Sequence, residues 1–299
     1  MPQSRALMGY VAALAMAAAI SQTPRAAQKP SADAVLERVT AYVTRYNAAL
    51  AEVVAEERYS QWAETEPGVA VVPGIGVTRR IIRSDIVITQ LGDQDSWVAL
   101  RDAFDVDGSP VRDRENRLAA LLSRGGEQSW RRAAAIANES ARFNVGNRVV
   151  ARNINVPTFA LQLLHGPNRS RFRFSLRTGT RGDAVVAGGT AVATEGRVEL
   201  EFRERERPTI VRQQSGGDQP LRGTILVDPQ SGEVWKTHLT WERGPRGFID
   251  VAFGQDPEVD ILVPLRMLEA YRAGPTTING DASYSNFRRF VTASRVVSP

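Results

Sequence analysis

Residues Leu221 to Glu242, LRGTILVDPQSGEVWKTHLTWE, leave this stretch little choice but an antiparallel β-hairpin. Gly223 to Val227 is short and β-rich, and Asp228-Pro-Gln-Ser-Gly232 supplies turn chemistry. Proline presets φ, Asp and Ser hydrogen-bond the turn backbone, and Gly accepts a positive φ. The return strand alternates. Trp235, Thr237, Leu239 and Trp241 are expected on one face, with Lys236, His238, Thr240 and Glu242 on the other. Ile225 and Val227 join the apolar face. A sheet with large aromatic side chains on one face needs a cover, and the rest of the chain reads as more sheet and the helices that cover it.

The N-terminal segment reads as an export signal over residues 1–28. Arg5 precedes an apolar, Ala-rich run from Leu7 to Ile20, and small residues follow. The run is shorter than the roughly 20 residues of a membrane-spanning helix, so no stable span is expected after its removal. Residues 29–299 are expected to form a single α+β domain. Asp33 to about Tyr59 repeats Val35, Val39, Tyr42, Tyr46, Leu50, Val53 and Val54 at helical spacing, with Ser31 or Asp33 as cap. Thr78–Thr89 and Ser96–Val106 read as strands joined by a Gly92–Asp95 turn. Gly74-Ile75-Gly76 is a loop fragment, without the third glycine of a dinucleotide fingerprint.

From Arg112 to about Phe143 the pattern turns helical, in two pieces: Asp113 to about Leu122, and a second through Trp130, Ala133 and Ile136. Thr158–Leu164 makes a further short helix, begun by Pro157 and stopped by Gly166-Pro167. Beyond Arg171 the sequence predicts only strands and turns: Arg171–Arg177, Arg197–Arg205, Gly223–Asp228, Glu233–Glu242, Gly247–Phe253, Ile261–Tyr271 and Ala282–Val291. Gly179–Gly189 and Arg212–Pro220 are loops by composition. Helices gathered in one segment beside a long antiparallel run predict an α+β fold, a curved antiparallel sheet with the N-terminal helix and the helical insertion covering one face.

Charge and motifs exclude more than they select. The chain contains no cysteine, so it has no disulfide, thiolate nucleophile or lipid-modified N-terminal cysteine. Its net charge of +5 comes almost entirely from arginine, since Lys29 and Lys236 are the only lysines. Basic residues alternate with acids, as in Arg203-Glu-Arg-Glu-Arg207, rather than forming a stripe, so no nucleic acid partner is expected. The acids around Asp105-Val-Asp107-Gly108 fail as a calcium loop: with Gly108 at position 6, Ala103 and Arg114 fall at the essential positions 1 and 12. His165 and His238 are the only histidines, and neither sits in a metal or nucleophile motif. No metal, no cofactor and no enzymatic activity are expected.

The C-terminal part, Gly223-Thr-Ile-Leu-Val-Asp-Pro-Gln-Ser-Gly-Glu-Val-Trp235, the Val251/Phe253 strand, Leu262-Val-Pro-Leu-Arg266 and Gly280–Phe290 (GDASYSNFRRF), resembles the outer-membrane lipoprotein carrier-like superfamily. That group includes periplasmic lipoprotein carriers, their receptors and envelope sensors. Secreted bacterial proteins ending in the same Tyr-Ser-Asn-Phe-Arg-Arg-Phe pattern are similar as well. The likeness covers about residues 195–292. It implies a half-barrel-like sheet lidded by helices, with a cavity for acyl chains. Two departures are the large insertion at about 112–165 and the missing lipid-modified cysteine of the receptor branch.

Together these readings predict an exported protein, periplasmic or extracellular, that binds a lipid or acyl chain between sheet and helices. Its ligand-binding residues are expected to be Trp235, Leu239, Trp241, Phe202 and Phe253, with Arg288 at the rim. The alternative is an interaction or envelope-sensing module with a closed core, whose partner is an envelope protein.

Overall fold

A computed structural model describes residues 30–70, 78–90, 97–112, 118, 127–146, 154–177, 185–187, 190–213, 216–241 and 246–289. The export signal, the Gly74–Gly76 loop, the Gly92–Asp95 turn and, Leu118 apart, the Asp113–Leu122 helix lie outside the described residues.

Helix α1 (Ala32–Leu50) starts at Ser31, whose hydroxyl accepts from the Ala34 amide at 3.2 Å. Its buried stripe is Val35, Leu36, Val39, Val43, Tyr46, Asn47 and Leu50. The helix ends at Leu50, nine residues short of the expected Tyr59. Strand β1 (Val53–Thr65) takes over, because from Val53 onward burial follows period 2: Val53, Ala55, Glu57, Tyr59 and Gln61 are all buried. Polar residues at two of those five positions hide the strand from a hydrophobicity count.

β2 (Arg79–Gln90), β3 (Trp97–Val106) and the two-residue β4 (Ser109–Pro110) continue as a meander. Helix α2 (Glu127–Ala141) and the short α3 (Phe159–Gln162) form the insertion, followed by a 3-10 turn over Gly166–Arg171. A second meander follows: β5 (Phe172–Arg177), β8 (Val198–Glu204), β9 (Leu221–Val227), β10 (Val234–Trp241), β11 (Gly247–Asp256), β12 (Ile261–Ala273) and β13 (Thr276–Arg289). Between β5 and β8, β6 (Val185–Ala187) and β7 (Thr190–Val192) form a small hairpin where composition predicts a loop. β13 begins earlier than the expected Ala282.

Among the described residues, eleven strands make one open antiparallel sheet in the order β4-β3-β2-β1-β13-β12-β11-β10-β9-β8-β5. The two meanders meet at β1 and β13, from Val53 opposite Arg289 to Thr65 opposite Thr276. The fold class is therefore the expected α+β with a curved antiparallel sheet, not closed into a barrel. Register shifts accompany the bends. One lies beside Asn286, which adopts φ +52°. Another skips Leu265 next to Pro264, where β13 pairing has not yet begun and proline's missing N–H costs no ladder bond.

Most of the core lies on the inner face, where α1 and Ile154, Leu161, Leu163 and Leu164 of the insertion meet side chains from β1 to β13. The helices do not all share that face. Val54, Val87 and Leu100 point the opposite way and pack against Ala133 and Ile136 of α2 and Leu118. A strand offers a second apolar face only where the alternate positions are apolar too, and β1–β3 do so at these three residues.

Candidate functional site

The β9–β10 turn builds the seat of α1. Asp228 Oδ1 accepts from the amides of Gln230 (2.7 Å) and Ser231 (2.9 Å), and Gly232 turns the chain at φ +79°. A Cβ on Gly232 would stand 2.5 Å from the carbonyl oxygen of Arg38, so only glycine lets the turn lie against the helix backbone. Arg38 Nη1 donates to the Pro229 carbonyl at 3.0 Å.

Beneath α1 the inner face is apolar and filled. Phe202, Leu239, Trp241 and Phe253 belong to this core and are at most 3% exposed. Tyr46 meets Phe253 edge-on at 6.5 Å. At the C-terminal end of α1 a small gap remains, lined by Leu50, Val53, Ala55, Ile86, Ile88, Pro157, Pro264, Tyr284 and Phe287, with a free volume of about 10 Å³. The packing of α1 is imperfect in one respect: Tyr46 Oη and Asn47 Nδ2 are buried without a hydrogen-bond partner. Burial, with Tyr42 adding to it, raises the Tyr46 hydroxyl well above the ordinary phenol range. A buried polar atom left unpaired costs about 1–3 kcal/mol.

Next to the gap lies a polar cluster that sequence reading missed. Glu57, fully buried, takes Nε of Arg101 at 2.6 Å and Nη2 at 3.0 Å. Arg101 also donates to the Asn155 carbonyl at 2.5 Å, tying the sheet to the insertion. Burial works against the Arg101 charge, but Glu57 outweighs it and holds the guanidinium above its ordinary range. Glu269 accepts from the hydroxyls of Tyr59 and Tyr271, the latter at 2.7 Å. Burial pushes its carboxyl up to about 8; the Tyr271 bond opposes this and Glu57 adds to it. Gln61 holds the segment after α2, accepting from the Val145 amide at 2.9 Å and donating to Asn144 at 2.9 Å. Tyr284 joins gap and cluster: it lines the gap, and burial, then Glu57, raise its hydroxyl. The signal was present in the alternation. Glu57 and Gln61 on β1, and Glu269 between Met267 and Tyr271 on β12, occupy core positions of period-2 runs.

Of the six expected ligand residues, Trp235 and Arg288 have surroundings different from the other four. Val234 pairs with Val227 and Lys236 with Leu226, so the chain bulges at Trp235 and turns its ring to the outer face. There it packs with Val192, Leu226 and Ala252 while also touching the main core, and the Arg197 guanidinium stands 3.7 Å over its ring. A bulge inserts one residue and so breaks the parity on which the Trp235–Leu239–Trp241 alignment depended. Arg288 is exposed near the end of β13, paired with Asp85 at 2.8 Å. The other four belong to the main core, where Phe253 meets Tyr46 of α1. His238 lies on the outer face, where Asp250 Oδ1 meets its Nδ1 at 2.5 Å.

No family model matches the chain, and no curated protein sequence does. Among solved structures it is similar to a LolA superfamily protein from Nitrosomonas europaea, with 10% identity over 90% of this chain and 98% of that one, at a TM-score of 0.37. It is also similar to a domain from Vibrio parahaemolyticus described as an outer membrane lipoprotein-sorting protein, with 8% identity over 88% and 95% of the two chains and a TM-score of 0.35.

Proposed function

We propose that this chain is an exported binding protein that takes an apolar ligand, a lipid or acyl chain, between the inner face of the sheet and α1. The observation that carries the reading is the apolar gap beside Leu50, continuous with a core that α1 covers while leaving Tyr46 Oη and Asn47 Nδ2 unpaired. The gap has room for about one water molecule, so an acyl chain enters only if α1 moves outward. Such a movement removes two desolvated polar atoms from the core, and the ligand's apolar surface replaces the contacts of the helix at about 25 cal/mol per Å². Ala51 and Glu52, between α1 and β1, are the natural hinge. Phe202, Leu239, Trp241 and Phe253 supply the apolar wall.

The small free volume favours a second reading, in which the core stays closed and the chain is an interaction or envelope-sensing module. Native mass spectrometry of protein purified from a periplasmic extract separates the two. A discrete bound mass that extracts into organic solvent is expected. A bare polypeptide, still bare after incubation with mixed phospholipids and fatty acids, would overturn the lipid reading and leave the closed module.

A further inference from the structure

The outer face of β5, β8, β9 and β10 carries a recess of about 500 Å³, lined by Arg173, Arg203, Arg205, Arg222 and, one row on, by Ser175, Glu201, Thr224 and His238. It opens on the side of the sheet away from α1, and Phe202 of the apolar core forms part of its floor beside Gly223. Its construction follows from register. Arg173 is directly opposite Arg203, and Arg203 directly opposite Arg222, so three arginines stand in one row across three adjacent strands. Adjacent strands are about 4.8 Å apart, which puts the three within about 10 Å. Arg205 extends the patch along the chain from β8. The sequence reads here as alternating charge, Arg203-Glu-Arg-Glu-Arg207, but a strand sorts alternate residues to opposite faces. Glu204 turns inward and accepts from the amides of Ile210 (2.7 Å) and Leu221 (3.1 Å). Glu206 stands 3.6 Å from Arg171, away from the row.

Like charges directly opposed on neighbouring strands destabilise a sheet. Among the described residues that line the recess, Arg173, Arg203, Arg205 and Arg222 outnumber the carboxylate of Glu201, itself 3.6 Å from Arg177. Guanidinium forks match the oxygens of phosphate, and several forks in one row suit more than one anionic charge. The hydroxyls of Ser175 and Thr224 add donors in the next row.

We propose that this recess binds a phosphorylated ligand carrying two or more negative charges or presented as an array, either a soluble phosphate compound or anionic lipid headgroups, through Arg173, Arg203 and Arg222. Calorimetric titration with inorganic pyrophosphate and flotation with vesicles of phosphatidylglycerol in phosphatidylcholine distinguish the sources. Pyrophosphate binding marks the soluble ligand; binding to the anionic vesicles alone marks the headgroups. In either case Arg203→Gln weakens binding at least about tenfold, and added salt weakens it further. Arg45→Gln, on α1 across the sheet from the recess, changes it less than about twofold. Arg203→Gln also raises the melting temperature, because it relieves repulsion in the row, and this identifies the variant as folded. Failure of both probes to bind, or binding equally strong to folded Arg203→Gln, would overturn the proposal.

Discussion

Glu57 and Arg101 form a two-pronged ion pair across the β1–β2–β3 sheet, with the carboxylate at 0% side-chain exposure and the guanidinium at 16%. Breaking such a pair from one side leaves a buried charge alone, at about 3–5 kcal/mol. Arg101→Met is therefore expected to destabilise by that order in urea unfolding. Glu57→Gln combined with Arg101→Met recovers part of the loss. A double variant no better than the single one would show that Arg101 acts through Asn155 rather than through Glu57.

Glu269 sets a pH dependence. Its ordinary value is 4.5, and burial raises it to about 8 in the folded chain. The folded state thus keeps a proton that the unfolded state has lost throughout that window. Stability is fully present below the unfolded value, declines as pH rises toward 8 by up to about 1.4 kcal/mol per pH unit, and levels off above. Glu269→Gln flattens this decline. Urea midpoints measured from pH 5 to pH 9 check it, and an unchanged slope in the variant would assign the effect to another group.

Gly280 makes room for that carboxylate. A Cβ there would lie 2.7 Å from Glu269 Cγ and 2.7 Å from Tyr59 Cε2. Gly280→Ala forces the Tyr59–Glu269 contact apart, and overpacking of this kind costs about 1–3 kcal/mol. The same variant is expected to shift the pH profile, since it disturbs the group that titrates. Destabilisation without any change in profile would mean that the cluster absorbs the methyl group elsewhere.

The two tryptophans of β10 are expected to behave differently. Trp241→Ala opens the inner core, costs about 3–5 kcal/mol and weakens binding of an apolar dye. Trp235→Ala leaves dye binding intact. It speeds amide exchange in the β6–β7 hairpin, whose Val192 packs near that ring. Equal effects of both substitutions on dye binding would contradict the assignment of Trp235 to the outer face.

The hairpin at Asp228–Gly232 and the second meander were legible in the sequence because turn residues and β-branched alternation agree there. β1 was not, because a strand that buries glutamate and glutamine on its inner face loses its apolar signature. The direction of the Trp235 ring was not legible for a related reason: parity holds only between bulges, and nothing in Val234-Trp235-Lys236 announces one. The arginine row was hidden by a third mechanism, since opposition between strands depends on register. Arg173, Arg203 and Arg222 are distant in the chain and become neighbours only once three strands are aligned.

The pairing of β1 with β13 places the first strand of the sheet beside the last, in the middle rather than at an edge. During synthesis, β1 therefore waits for almost the whole chain before its partner exists. Until then the sheet is two separate meanders, each with an unsatisfied inner edge. Such long-range closure makes for slow folding. A chain cut before Thr276 leaves both edges permanently open, so C-terminal truncation would give not a shorter sheet but two aggregation-prone halves.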